Sequence, residues 1–363
     1  MNFSKYLFLS LVFIFILFIF PPQLIAQSSS QASIAEAKIL KIENTSKTNS
    51  QTKKTIKNVT LKILSGFLAG KEFNTQDNIL TTSFNIDYKV GDNVIVTTSK
   101  GPDGKDTVYI SDVDRIPMLL LLTCLLIVLT VIVARWQGIA SILGMAVSFY
   151  ILASLIIPGI LNGTDPLIIT FIGSIIIIPA TYYLAHGLNK KTTIAIVGTV
   201  ITLLLTGGLA YIFTALTKLT GFASEEATYL QNMGNNINIK SLLLAGMVIG
   251  ALAVLNDITI SQASIVESLY TANNKLSLHE LFSHAMKVGR DHVASLINTL
   301  VLVYVGASFP LVILFYNTPV SFGLIANQEI IATEIVRTLL SSIGIVAAVP
   351  ITTYLACIVT RKK

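Results

Sequence analysis

From Ile116 onward the chain is built of long apolar runs separated by short polar connections. Before that point the apolar stretches are brief and alternate residue by residue. Runs close to the spanning length of about 20 residues occupy Ile116–Ala134, Ile139–Ile157, Leu167–His186, Thr193–Leu216, Leu242–Ile260, Ala294–Tyr316 and Ile331–Thr360. Runs of this length predict seven membrane-crossing helices, and the connection from Ser261 to Asp291 is too polar to make an eighth. Upstream, Ile34–Ile42, Val59–Leu64, Asp92–Thr98 and Thr107–Ile110 read as short strands. They are punctuated by turns at Gly91-Asp92 and Gly101-Pro102-Asp103-Gly104. Strands this short and close predict a small closed or half-open barrel, with Asn44 to Lys57 as a polar loop.

The first residues differ from both regions. Lys5 precedes an apolar stretch from Tyr6 to Phe20, Pro21-Pro22 ends it, and Ala26 offers a small residue for cleavage. Residues 1–26 are therefore expected to be a signal peptide or an uncleaved signal anchor. Residues 27–115 are expected to form an extracytoplasmic β domain, and residues 116–363 a helical membrane domain.

Composition agrees with the pattern. The chain is 53% hydrophobic and 12% charged, where soluble domains carry roughly 25% charged residues. That shortage excludes a soluble enzyme or a nucleic-acid-binding protein. Charge position gives an orientation: nine Lys and Arg fall in the loops and tail that would be cytoplasmic, against Lys218 and Lys240 outside. This is the positive-inside arrangement, with the C-terminus in the cytoplasm. Cys124 and Cys357 both sit in apolar runs, so neither a disulfide framework nor a cysteine metal site is expected.

A charge at membrane depth costs about 2.5–3.5 kcal/mol even on lenient scales, so each one needs a reason. Asp257 lies on a stripe with Gly246, Gly250, Ala253, Ser261, Ser264 and Ser268, because helical steps of three and four return to one face. Glu267 lies beside that stripe. The stripe reads either as a small-residue packing seam or as a polar face carrying water or an ion. Ser277 and Glu280 form a capping-box pattern that opens an amphipathic segment at the inner interface. His279 and His284 are five apart, so they miss the His-Glu-x-x-His zinc spacing. Arg290 could neutralise Asp257, Glu267 or Asp291, while Asp291, Ser295 and Asn298 share a face with Thr299 beside them. Glu334 and Arg337 fit an i, i+3 ion pair. No nucleophile elbow, acid dyad or phosphate-cradling loop is present, so neither an enzyme nor a cofactor is expected.

Gly250-Ala-Leu-Ala-Val-Leu-Asn-Asp257-Ile-Thr-Ile-Ser-Gln-Ala-Ser264-Ile-Val-Glu267 resembles a signature of the YibE/F-like family of bacterial multi-pass membrane proteins. Gly289-Arg290-Asp291-His-Val-Ala-Ser-Leu-Ile-Asn298-Thr299-Leu-Val-Leu resembles a second. The resemblance implies a plasma-membrane protein of permease type, without a defined substrate or cofactor. It also implies that Asp257, Glu267, Arg290, Asp291 and Asn298 belong to one site.

The expectation is thus a polytopic α-helical membrane protein that acts as an ion- or proton-coupled secondary transporter. Asp257 and Glu267 would take the coupling ion, with Ser261 and Ser264 on the same polar face. Arg290 and Asp291 would rearrange between states, and Asn298 and Thr299 would contact substrate. Its expected partners are the bilayer, a small solute or ion, and a second copy or another YibE/F-like chain. The rival reading is a membrane scaffold or sensor whose outer domain binds an envelope partner.

Overall fold

A computed structural model describes residues 32–46, 55–76, 88–100, 106–232, 237–317 and 319–361. The expected signal segment at residues 1–26 and the turn at Gly101–Gly104 lie outside the described residues. Contacts divide the chain into two compact units, one of which covers Ile19–Leu129 and the other Thr130–Lys363 with the first residues.

The first unit is a five-stranded antiparallel sheet. Its strands are β1 (Ala32–Ser46), β2 (Thr55–Ile63), β3 (Glu72–Gln76), β4 (Asn93–Lys100) and β5 (Asp106–Val113). They pair in the order β3-β2-β1-β4-β5. Side chains alternate across the pleat. Ala35, Ala37 and Ile39 of β1, Val59, Leu61 and Ile63 of β2, Val94 and Val96 of β4, and Val108 and Ile110 of β5 therefore all turn inward onto Leu68 and Tyr88. Register shifts between Ile39 and Lys41 and between Ile95 and Val96 bend the sheet, since an extra residue on one strand increases its coil. The edge strands β3 and β5 draw near each other, which makes a half-barrel. Gly91 takes φ 99° in the expected turn, where Asp92 Oδ2 accepts from the Lys89 amide at 2.7 Å. A hydrogen bond from the Arg115 guanidinium holds the Asp112 carboxyl below its ordinary pKa.

Two expectations here need correction. The loop expected from Asn44 to Lys57 is narrower, because Asn44 pairs with Lys57 and Ser46 with Thr55 as a continued hairpin. Strand β3 was not anticipated. Its sequence, Glu-Phe-Asn-Thr-Gln, has one large apolar residue, and backbone pairing to β2 makes it a strand.

The second unit is helical. Helix α1 (Ile116–Ile151), whose residues up to Leu129 fall in the first unit, breaks at Arg135, which takes φ 51° and ψ −128°. There the chain doubles back: a methyl group on Gly138 would stand 2.5 Å from the carbonyl oxygen of Thr130, whereas eight residues of straight helix would separate them by about 12 Å. A π-helical turn (Leu152–Ile156) leads into the short α2 (Ile157–Leu161), in which Pro158 takes the opening turn. Helix α3 (Pro166–His186) is capped by Asp165, which accepts from Leu167 N at 2.9 Å, and α4 (Lys190–Leu216) by Asn189. The short α5 (Glu225–Asn232) follows, then α6 (Ile239–Ala272), capped by Asn238. Helix α7 (Leu278–Ala307) opens with the expected Ser277–Glu280 capping box. Helices α8 (Phe309–Tyr316), α9 (Phe322–Ala326) and α10 (Glu329–Arg361) complete the described chain.

Among the described residues five helical stretches are long and apolar enough to cross a membrane, and a sixth is added if α7 and α8, bent by 74°, count as one crossing. The first two apolar runs are thus arms of one broken helix. The polar connection expected between Ser261 and Asp291 shrinks to Asn273–Ser277, because α6 continues to Ala272 and α7 already starts at Leu278. Gln262, Ala263 and Val266 on that extension are buried, so packing carries the helix past the apolar run.

Helices α4, α6 and α10 pack most intimately, with α3 and α7 against them. Glycine sets their spacing. A methyl group on Gly344 of α10 would stand 2.8 Å from Thr206 Oγ1 of α4, and one on Gly198 of α4 would collide with Thr352 of α10. These contacts make α4 antiparallel to α10. One end of the trio carries Lys190, Ala272 and Arg361, and the other Leu216, Ile239 and Glu329.

Leu61 is fully buried in β2. Leu61→Ala should lower the unfolding free energy of an isolated 27–115 segment by about 2–5 kcal/mol, read by urea titration with circular dichroism. A random-coil spectrum of the unmutated segment would show that this unit does not fold alone.

Candidate functional site

The anticipated site residues lie on outer faces of α6 and α7. Asp257, Glu267, Arg290, Asp291, Asn298 and Thr299 are exposed, and Ser261 and Ser264 are half-buried. No ion pair joins Arg290 to Asp257, Glu267 or Asp291 among the described residues. Arg290 Nε donates at 3.4 Å to the carbonyl of Met286, and Thr299 donates to the carbonyl of Ser295. Glu267 pairs instead with Lys191 at the start of α4, Oε2 to Nζ at 3.2 Å. Asp257 stands roughly 15 Å of helix rise from that pair. It lies within Coulombic range of His186 and Tyr182.

The interior is polar in a different way. Leu, Ile, Val and Phe side chains cover much of the outside, whereas among the described residues thirteen buried positions in the helical unit carry Thr, Ser or Gln and none carries a charge. Tyr182, Thr199 and Thr259, from α3, α4 and α6, form a closed triangle. Tyr182 Oη lies 2.5 Å from Thr199 Oγ1 and 2.7 Å from Thr259 Oγ1, with 2.7 Å between the two threonines. Thr199 Oγ1 is also within donor range of the carbonyl of Ala195 and Thr259 Oγ1 of that of Leu255, so three protons are shared among five contacts. Each hydroxyl can donate once and accept twice, so the triangle holds three helices through exchangeable protons.

Further along α4, Thr202 and Thr206 donate to the carbonyls of Gly198 and Thr202. In the helical unit several buried polar atoms have no hydrogen-bond partner among the described residues: both ends of the Gln262 amide, Thr352 Oγ1, Ser341 Oγ, Thr170 Oγ1 and Ser174 Oγ. Gln262 is wedged against Gly289 of α7 and the nearby Val349 of α10. Buried polar groups are nearly always satisfied, so these positions call for water or a polar solute.

A cavity lies at each end. Lys190, Lys191, Glu267, Tyr270 and Thr360 line one of about 270 Å³. Thr333, Glu334, Arg337 and the bend at Ala307–Pro310 line another of about 370 Å³. There Glu334 Oε1 and Arg337 Nη1 stand 3.4 Å apart, the anticipated ion pair. No cluster of three or more His, Cys, Asp or Glu side chains suited to a metal occurs among the described residues.

The charges and serines of α6 and α7 stand out in the sequence, and the threonines of α4 do not. Their signal was available: Thr192, Thr199, Thr202 and Thr206 return to one face of an otherwise apolar α4 at steps of seven, three and four.

The family of YibE/F-like proteins matches residues 122–362, and the chain belongs to it. No curated protein and no solved structure matches.

Thr199→Val keeps the shape but removes two of the triangle's three edges, leaving Tyr182–Thr259, and should cost about 1–3 kcal/mol. Lys191→Ala, which breaks a half-exposed pair, should cost about 1 kcal/mol or less. Thermal unfolding of the purified chain in detergent orders the two, and equal losses would deny the triangle its structural part.

Proposed function

We propose that this YibE/F-like membrane protein is a permease of the bacterial plasma membrane, driven by a proton or cation gradient. One observation carries the reading: buried, uncharged hydroxyls, several of them without a partner, lie inside a bundle whose exterior is apolar and which has an ion-paired cavity at each end. Transport needs polar groups that face a cavity rather than lipid, and α4, α6 and α10 supply them. Partner-free Gln262, Thr352 and Ser341 would take water or solute in passage, and the Tyr182–Thr199–Thr259 triangle would relay protons. Asp257 would hold the coupling proton or cation beside the triangle, with Ser261 and Ser264 next to it on α6. The Lys191–Glu267 pair would open and close one mouth. Arg290, Asp291, Asn298 and Thr299 would form the polar face that meets a second chain or the solute.

In this reading the chain crosses seven times: twice in the arms of α1, then in α3, α4, α6, the bent α7–α8 pair and α10. The reversal at Arg135 supports that count. Loop charge supports a cytoplasmic end at Lys190, Ala272 and Arg361, with the β unit outside.

A second reading, a scaffold or sensor, is favoured by Ile34 and Phe67, which are 76% and 66% exposed on the β unit and would suit an envelope partner.

Thiol labelling separates the two. In a chain with Cys124 and Cys357 replaced by Ala, Thr202→Cys and Thr352→Cys should react with a membrane-impermeant thiosulfonate, while Leu204→Cys, on the apolar exterior, stays protected. Equal protection at all three positions would leave a packed anchor. Proton flux into dye-loaded proteoliposomes should vanish in Asp257→Asn and weaken in Asp257→Glu; full flux in Asp257→Asn removes the coupling carboxylate. Reporter fusions after Lys191 and at the C-terminus should report cytoplasm, and those within Asn78–Lys105 the outside. An outside signal at the C-terminus would break the seven-crossing topology.

A further inference from the structure

The cavity at the Leu216–Glu329 end has features of a binding site that the ion pair alone does not use. Thr333, Glu334 and Arg337 lie on one side of α10, at steps of three and four. Thr333 is 4% exposed, and its Oγ1 has no partner among the described residues. Arg337 Nε is likewise buried without a partner. The single contact to Glu334, at 3.4 Å, is longer than the roughly 2.7–2.9 Å of a charge-assisted hydrogen bond. A guanidinium carries five N–H donors in a planar fork that fits carboxylate, and the one contact to Glu334 does not use the whole fork. Opposite stands the 74° break between α7 and α8, and Leu243, Leu311 and Ile330 supply an apolar wall. The loop at Thr220–Gly221 is fixed over the helix start, because Glu329 accepts from both amides and from the Thr220 hydroxyl. The volume of about 370 Å³ falls in the range of roughly 300–1,000 Å³ typical of small-molecule sites, as does a lining that is apolar with a few convergent polar groups.

We infer that this cavity binds a short-chain monocarboxylate, with the carboxylate on the Arg337 guanidinium beside Thr333 and the alkyl tail against Leu243, Leu311 and Ile330. A monoanion fits better than a dianion, because Glu334 already offsets the guanidinium charge. Glu334 competes for the same fork, so its carboxylate tunes affinity. Only the site's use as a substrate entry rests on the permease reading; binding stands apart from it.

The test uses the full chain in nanodiscs, with phenylglyoxal as an arginine reagent and peptide mass spectrometry to follow Arg337 and, as an internal control, exposed Arg290. Sodium propionate should slow modification of Arg337 several-fold relative to sodium chloride at equal ionic strength, and leave Arg290 unchanged. Glu334→Gln should give protection at several-fold lower propionate. Thr333→Val should require several-fold more while leaving the unprotected rate alone. Should Glu334 shield Arg337 from the reagent, the Glu334→Gln chain gives the same comparison. Equal rates in propionate and chloride, in both chains, overturn the site. Stronger protection by phosphate than by propionate overturns the carboxylate assignment. Uptake of labelled propionate by proteoliposomes then reads the permease proposal separately: protection without uptake keeps the site and removes that role.

Discussion

The close approach of α4, α6 and α10 is the constraint on which the helical unit depends. Surrounded by an apolar solvent, helices gain nothing from hiding leucine, so association rests on packing contacts and hydrogen bonds between them. Gly198 and Gly344 let α4 and α10 draw together where any side chain would collide with Thr352 or Thr206. At that distance hydroxyls of neighbouring helices meet, and Tyr182, Thr199 and Thr259 close their triangle. Small residues and hydroxyls thus serve one end: the first permit the approach and the second hold it.

The same constraint explains the inverted polarity. Threonine and serine tolerate burial because they can return a hydrogen bond to the carbonyl one turn back, as Thr202, Thr206 and Thr353 do. A lysine or aspartate has no such local remedy. Within the bundle the ionic side chains accordingly gather in pairs at the two ends, Lys191 with Glu267 and Arg337 with Glu334. Arg290 and Asp291 on α7 are exceptions, and so is Asp257, an exposed carboxylate part-way along α6 with no hydrogen bond or ion pair among the described residues. An unpaired acid at such a level must face water, a partner or a proton, and that is why it stays central to the proposed coupling.

Much of the architecture was legible in the linear pattern. Two-residue alternation marked four of the five strands, and run length marked the helices. The Ser277–Glu280 box and the Glu334–Arg337 pair were visible because both are local, within one turn of helix. Strand β3 escaped because its partner, not its composition, makes it a strand. The continuity of α6 through Ser261–Ala272 escaped because Gln262, Ala263 and Val266 are held by neighbouring helices that a one-dimensional reading does not contain.

The candidate site divides in the same way. Hydropathy and charge bias are sums over adjacent residues, so the sequence alone determined the membrane class, the β unit ahead of it, the family resemblance and the ionic residues worth weighing. Whether Glu267 meets Arg290 or Lys191 is a matter of which helices adjoin, and only the packed bundle decided for Lys191. Likewise, threonines on α4 are ordinary until Thr259 and Tyr182 arrive from helices far along the chain. The glycine contacts that bring them together act at ångström range between distant segments, and that distance exists only once the chain has folded.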